Sequence, residues 1–422
     1  MTCVGRSSTQ FAHDIGIGAS DDTVAAVRGV GLAPVLQPIV VLPTGDVIGF
    51  EALARWPSLN IPCPTDVFAF ASEAGQLDDL DRLCVDAAID TALARRLPRG
   101  TLLAVNCEPA SPYCGPAGND LLARGRDELT LMFELTERSL LNHPHALLAK
   151  VAALRRDGFM IALDDVGAHP DSLSMLDILM PDVIKLDLPL VQSQPRRDQI
   201  RTIAAVLAHH ERTGATILAE GIENDDHLEQ ALALGATLGQ GYKYWPAGSG
   251  DVVHRWAQPE KAPPPQPLLK SPFDLLASDA PLRTARKEIL TALSRHIEDQ
   301  AIHTADPPIV LSTLQDARYL TAGTTRRYLR LAQRSPLVAI FGQELPPDLG
   351  SGIRGVALSD SDPLCSEWTV VSLGAQTAVA LIAREAPHLR GGPDRDRRFE
   401  FTITYNRSLV TAVARTLLDR ML

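Results

Sequence analysis

Between residues 34 and 256 one pattern repeats: a short run rich in Val, Ile and Leu, then a longer stretch whose apolar residues recur at helical spacing. The runs VLQPIVVL and VIGFEALARW come first, joined by Pro43-Thr44-Gly45-Asp46, and this turn chemistry predicts a hairpin. Further strands are expected at TLLAVNCE, LTLMFELTE, FMIALDDVG, DVIKLD and TILAEGIE, with helices at 78–96, 144–156, 197–213 and 225–234. Strands alternating with helices form βα units, so the fold class is α/β, a TIM-like (β/α)8 barrel. The opening hairpin makes one of its strands antiparallel. Residues 1–33 lack sustained periodicity and are expected to be a mobile N-terminal tail with a short helix at 22–27.

After residue 256 the pattern changes. The stretch 257–270 contains QPEKAPPPQP, and consecutive prolines favour an extended, semi-rigid linker. From 271 to 422 the expected elements are a helix at 281–300, a strand at PIVLSTLQ and a helix at TTRRYLRLAQ. Strand-like runs follow at LVAIFGQ, GIRGVALS, EWTVVSLG, TAVALIARE and FEFTITYN, and LVTAVARTLLDRML closes the chain as an amphipathic helix. WTVVSL and AVALIA flank Gly374-Ala375-Gln376 as a hairpin. This succession predicts a separate α+β domain.

Charge and cysteine content narrow the function classes. The formal net charge is −11, and without a basic stripe no duplex nucleic acid partner is expected. The six cysteines form no CxxC pair, which reads as reduced thiols and a cytoplasmic protein. Neither a signal-peptide core nor an 18-residue apolar window is evident, so no membrane span is expected.

Six of the hydrophobic runs lead into a charged or amide residue: Glu51, Asn106, Glu134, Asp164–Asp165, Lys185 and Glu220. The C-terminal ends of barrel strands converge on one mouth. Carboxylates gathered there repel one another unless cations intervene, and an oxygen-rich ligand set selects Mg2+ or Mn2+. The chain therefore reads as a metal-dependent hydrolase of a phosphate ester. His143 and His145 have no matching Cys or His partners and read as solvated loop residues. His209 and His210, late in a helix, are expected to bond its last carbonyls.

The order of short motifs is more specific. Glu51-Ala52-Leu53, Val105-Asn106, Glu134-Leu135-Thr136-Glu137, Asp164-Asp165-Val166-Gly167, Lys185-Leu186-Asp187, Ala219-Glu220-Gly221-Ile222-Glu223 and Gln240-Gly241-Tyr242 follow one another. Over roughly residues 34–250 this series resembles the EAL-domain phosphodiesterases, which open cyclic di-GMP to linear pGpG. The resemblance implies two divalent cations, Mg2+ or Mn2+. One is held by Glu51, Asn106, Glu134 and Asp164; the other is shared by Asp164 and Asp165, with Glu220 assisting. It also implies that Lys185 orients or deprotonates the attacking water. Gln37, Leu53, Arg55, Asp187 and Gln240 match substrate-contacting positions, and Glu137 and Glu223 match acids that order the neighbouring loop and metal site. Members commonly act as dimers, so a homodimer is an expected assembly. The resemblance breaks at Val166-Gly167-Ala168-His169-Pro170-Asp171, where the family carries a Gly- and aromatic-containing loop. A barrel that binds cyclic di-GMP without cleaving it is the alternative.

The C-terminal part contains Phe341-Gly342, Asp362-Pro363-Leu364, Glu367-Trp368, Asp396-Arg397-Arg398-Phe399 and Thr404-Tyr405-Asn406-Arg407. Together these resemble the DICT domain, a sensory module found beside cyclic di-GMP enzymes. That implies a regulatory signal, small molecule or protein, of unstated identity. Trp368 reads as core, and the Asp396/Arg397/Arg398 cluster as a surface ion-pair set.

Overall fold

The computed structural model describes residues 20–244, 256 and 271–421, apart from 62, 110, 137–140, 169, 195, 278–279, 387–393 and 395–396. Glu137, the tail up to residue 19 and the linker 257–270 thus lie outside the described residues. Eight strands close in sequence order into a barrel: β1 (Val35–Val41), β2 (Asp46–Leu53), β3 (Leu102–Asn106), β4 (Thr130–Thr136), β5 (Met160–Val166), β6 (Val183–Leu186), β7 (Thr216–Ala219) and β8 (Leu238–Gly239). β1 runs antiparallel to both β2 and β8, as the opening hairpin predicts, while the other neighbours pair in parallel. Around the barrel lie α1 (Asp21–Val27), α2 (Pro64–Glu73), α3 (Leu77–Ala94), α4 (Asp120–Glu128), α5 (Pro144–Arg156), α6 (Leu176–Leu179), α7 (Leu188–Gln192), α8 (Arg197–Thr213) and α9 (Asp225–Ala233).

Strand parity divides the core in two. Leu102, Ala104, Met132, Met160, Ala162, Val183, Leu218 and Leu238 fill the barrel interior with Ile39 and Ile48. The alternate residues, among them Leu103, Val105, Phe133, Leu163, Ile184 and Ile217, face the helices. One more step of two along the inward column reaches Asn106, Glu134, Asp164, Lys185, Glu220 and Gln240. The site is thus the last inward layer of an otherwise apolar column.

The expected tail boundary at residue 33 is corrected. Ser20 caps α1 through a hydrogen bond from Thr23 N, and Ala26 and Val27 pack with Trp56, Val67, Ala71 and Leu80. Burial of that apolar pair draws residues 20–33 onto the barrel, and only a two-residue apolar signal announces it.

The C-terminal part is a seven-stranded mixed sheet, ordered β12 (Ile353–Ala357), β11 (Val338–Gln343), β10 (Ile309–Asp316), β13 (Glu367–Leu373), β14 (Ala378–Glu385), β15 (Arg398–Thr404) and β9 (Arg283–Arg286), with α10 (Lys287–His303), α11 (Ala322–Ala332) and α12 (Arg407–Leu418). β13 and β14 form the expected hairpin. The helix expected from 281 starts later, because Arg283–Arg286 instead pair with the open edge of β15. Trp368 packs edge-on against Phe399 at 5.7 Å between ring centres. Arg397 is more than a surface charge: it bonds Glu385, Gln315 and Tyr319. Residues of α12 (Val410, Val413, Leu417) and of α6 (Leu176, Leu179) share one apolar cluster, so the sheet domain docks on the barrel.

Candidate functional site

At the C-terminal mouth Lys185 is the centre of a carboxylate cluster. Its Nζ lies 2.8 Å from Glu220, 2.9 Å from Asp164, 3.0 Å from Glu134 and 3.5 Å from Glu51, with 1% of the side chain exposed. All four contacts are within ion-pair distance. Both Glu134 oxygens and Oδ1 of Asp164 are buried without a hydrogen-bond partner among the described residues. Glu51 is better satisfied: Asn106 Nδ2 donates to one oxygen at 3.1 Å and Gln240 Nε2 to the other at 2.9 Å.

Two neighbouring aspartates reach one site because β5 is irregular there. Regular pleating would send Asp164 and Asp165 to opposite faces. The β5–β6 register shifts between Leu163 and Val166, and Asp165 takes a left-handed conformation (φ +56). Ligand atoms of Asp164, Asp165 and Glu220 then lie within 4.8 Å of one another. Gly241 does similar work beside Gln240. A Cβ there would stand 2.2 Å from the Ile222 carbonyl oxygen, so only glycine lets that backbone pass.

Electrostatics follows from burial. Burial, with Glu51, Asp164 and Glu220 adding to it, pushes the Glu134 carboxyl well above its usual range, against the opposing pull of Lys185. Burial likewise raises Glu220 to about 8, Asp164 and Glu51 adding to it. For Lys185 burial alone would favour the neutral amine, but Asp164, Glu134, Glu220 and Glu51 outweigh it and hold the ammonium charged. For Glu51 burial is likewise outweighed, here by Lys185 and the amides of Gln240 and Asn106, and the carboxyl is lowered. Orphaned buried oxygens on several strand ends match a hard divalent cation, which takes oxygen ligands. The residues present therefore fit such an ion.

Other expected positions fall around this cluster. Gln37 sits on β1 opposite Glu51. Leu53 ends β2, and Arg55 is exposed just beyond it, with Nη1 bonded to the Ala54 carbonyl at 2.8 Å. Asp187 occupies the cap position of α7, half-buried. Glu223 is exposed rather than buried with the cluster. The rim also carries two exposed apolar side chains, Tyr242 of the last motif at 57% and Leu188, which lies outside the motif series, at 44%.

Cys107, next to Asn106, is buried, and burial pushes its thiol up to about 12, Asp81, Glu108 and Glu134 adding to this against the pull of Lys150. Thiolate is the nucleophile, so iodoacetamide at pH 8 should label the exposed Cys114 and spare Cys107. Peptide mapping that found Cys107 alkylated in the folded protein would contradict this strand-end packing.

The EAL domain model matches residues 21–247. A second model, described as a sensory domain in diguanylate cyclases and two-component systems, matches residues 266–386. The probable cyclic di-GMP phosphodiesterase PdeG of Escherichia coli is 31% identical over 52% of this chain and 45% of its own length. The cyclic di-GMP phosphodiesterase RocR of Pseudomonas aeruginosa is 32% identical over 49% of this chain and 55% of its own. The chain thus spans about half the length of these two curated relatives. A calcium and cyclic di-GMP complex of Klebsiella pneumoniae BlrP1 aligns at 31% identity and a TM-score of 0.44, covering 51% of this chain and 55% of that one. Among the described residues no helix is long and apolar enough to cross a membrane. With its EAL match running over more than half its length, the chain belongs to the EAL-domain family.

Proposed function

We propose that the barrel hydrolyses cyclic di-GMP to linear pGpG with two divalent cations, Mg2+ or Mn2+, and that the C-terminal domain regulates it. The observation that carries this reading is that both Glu134 oxygens and Oδ1 of Asp164, buried with no hydrogen-bond partner among the described residues, converge with Glu51, Asp165 and Glu220 around one lysine. Glu51, Asn106, Glu134 and Asp164 would hold one cation, and Asp164 and Asp165, assisted by Glu220, the other. Bound there, the cations would supply charge to the phosphoryl oxygens and a water acidic enough to attack near neutral pH.

The remaining roles belong to the chain. Lys185, its ammonium held charged by the carboxylates, would donate a hydrogen bond that orients the water at the centre of the cluster. Gln240 and Asn106 fix the two oxygens of Glu51, so its carboxylate keeps one orientation. Arg55 offers paired donors to a phosphate, while Gln37, Leu53 and Asp187 line the approach. Reduced thiols fit a cytoplasmic location.

Purified protein incubated with cyclic di-GMP and Mn2+ should yield pGpG by chromatography. EDTA or Glu51→Ala should each reduce the yield by at least about a thousandfold, since either removes the charge that stabilises the transition state. Equal pGpG with and without chelator would sink the metal reading. Binding without cleavage would favour the receptor alternative, for which the departure from the family at 166–171 is the specific argument.

A further inference from the structure

The segment that leaves Asp164 and Asp165 is gripped at its far end by the C-terminal domain. From β5 the chain passes Gly167, runs through a 3-10 turn at Pro170–Met175 and enters α6. α6 is a single turn, far below the length that holds a helix in water without tertiary help. It ends at Met180 in a left-handed conformation (φ +49), with no glycine there to relieve it.

Basic side chains from both domains supply that help. Asp177 accepts hydrogen bonds from His209 Nδ1 and Arg212 Nη2 of α8, each at 2.9 Å, and from Arg407 Nη1 of α12. Arg407 is itself anchored on the Gly374 carbonyl at 3.0 and 3.1 Å, at the end of β13. At the C-terminal end of α6, Arg415 Nε of α12 donates to the Ile178 carbonyl at 2.8 Å. Arg155 of α5 takes the carbonyls of Leu179 (3.3 Å) and Met180. Free carbonyls at a helix end favour such cations. Burial lowers the Arg415 guanidinium to about 10, and the nearby Arg155 adds to that, so both depend on the carbonyls between them. His145 Nδ1 adds a contact to the Asp419 carbonyl at 2.6 Å, beside the same interface.

We propose that Arg407 and Arg415 are positioning residues: by fixing α6 they set the placement of Asp164 and Asp165, so that docking of the C-terminal domain and divalent-cation binding at the barrel mouth strengthen each other. This rests on the metal reading above. Coupling of two binding events is reciprocal, so it can be read from either end.

The test uses the full chain and Mn2+ alone. Hydrogen exchange of the wild type with and without MnCl2 should show slower exchange at 102–106, 130–136 and 160–166, and also at 176–180 and 407–418. Calorimetric titration should show the Mn2+ Kd of Arg407→Ala raised by about 5- to 10-fold, and that of Arg415→Gln in the same direction. Protection confined to the strand ends, with 176–180 and 407–418 unchanged, overturns the coupling and leaves the metal site standing. So does a variant whose residues 407–418 exchange faster while its Mn2+ affinity stays at the wild-type value. Absence of Mn2+ binding to the wild type overturns both readings. The wild-type exchange data decide the matter even if Arg407→Ala does not fold.

Discussion

Lys185→Met is expected to bind Mn2+ more tightly than the wild type and to cleave cyclic di-GMP at least about a hundredfold more slowly. The reason for the tighter binding is electrostatic. The Lys185 ammonium sits within 3.5 Å of Glu51, Glu134, Asp164 and Glu220, where an incoming cation must compete with it. Methionine keeps much of the length and removes the charge, so the carboxylates are left to the cations. The reason for the slower turnover is chemical, because the group that would orient the water is gone. Without metal the variant should lose about 3 kcal/mol in chemical denaturation, the scale seen when one partner of a buried ion pair is removed. Mn2+ should restore most of that loss by binding the native state alone. Calorimetry, denaturation with and without Mn2+ and a chromatographic assay separate the three effects. Undiminished cleavage by Lys185→Met would remove lysine from the chemistry and leave it a structural counter-charge.

The barrel and the members of its site were legible in the sequence for one physical reason. Each strand alternates inward and outward, and the inward column is apolar until its last position, as in Leu102-Ala104-Asn106 and Met132-Glu134. A polar residue ending such a column must face the mouth. Asp165 is the exception to parity: a register shift after Leu163 and its own left-handed backbone re-aim it, which alternation alone does not foretell. What sequence spacing did not reveal is tertiary. His209 and His210 read as helix-end caps, and His210 does bond the Ala215 carbonyl beyond its helix. His209 instead turns inward to Asp177. Nothing in the sequence pattern singles out Asp177, because one of its partners, Arg407, is 230 residues away along the chain. Likewise His145 meets Asp419 at the domain interface rather than water alone. The exposure of Glu223 shows the converse limit: a motif position fixes where a residue sits along the strand end, and the local turn decides where its carboxylate points.

Asp177→Ala is expected to lower stability by about 3–5 kcal/mol at neutral pH, the cost of leaving buried cations without their partner. Asp177 is 12% exposed as a side chain, Arg407 18% and His209 1%, so water replaces little of what the carboxylate supplies. Asp177→Asn keeps an acceptor oxygen but no charge, and should recover part of the loss. The pH dependence gives a second signature. Burial alone would raise the Asp177 carboxyl, but the hydrogen bonds from His209 and Arg212 and the charge of Arg407 outweigh it and hold it well below the usual carboxylate range. A group depressed in this way stabilises the native state fully above its unfolded value of about 3.9, and loses that contribution as pH falls through the lower native value. The gap between wild type and Asp177→Ala should therefore be constant from pH 5 to 8, on the order of the full effect, and narrow only below about pH 4. Denaturant titrations at several pH values measure it. A gap that already closes as pH falls to about 6 would contradict a carboxylate held low by its basic partners, and the contribution of Asp177 to the domain interface would then not be that of a charged group.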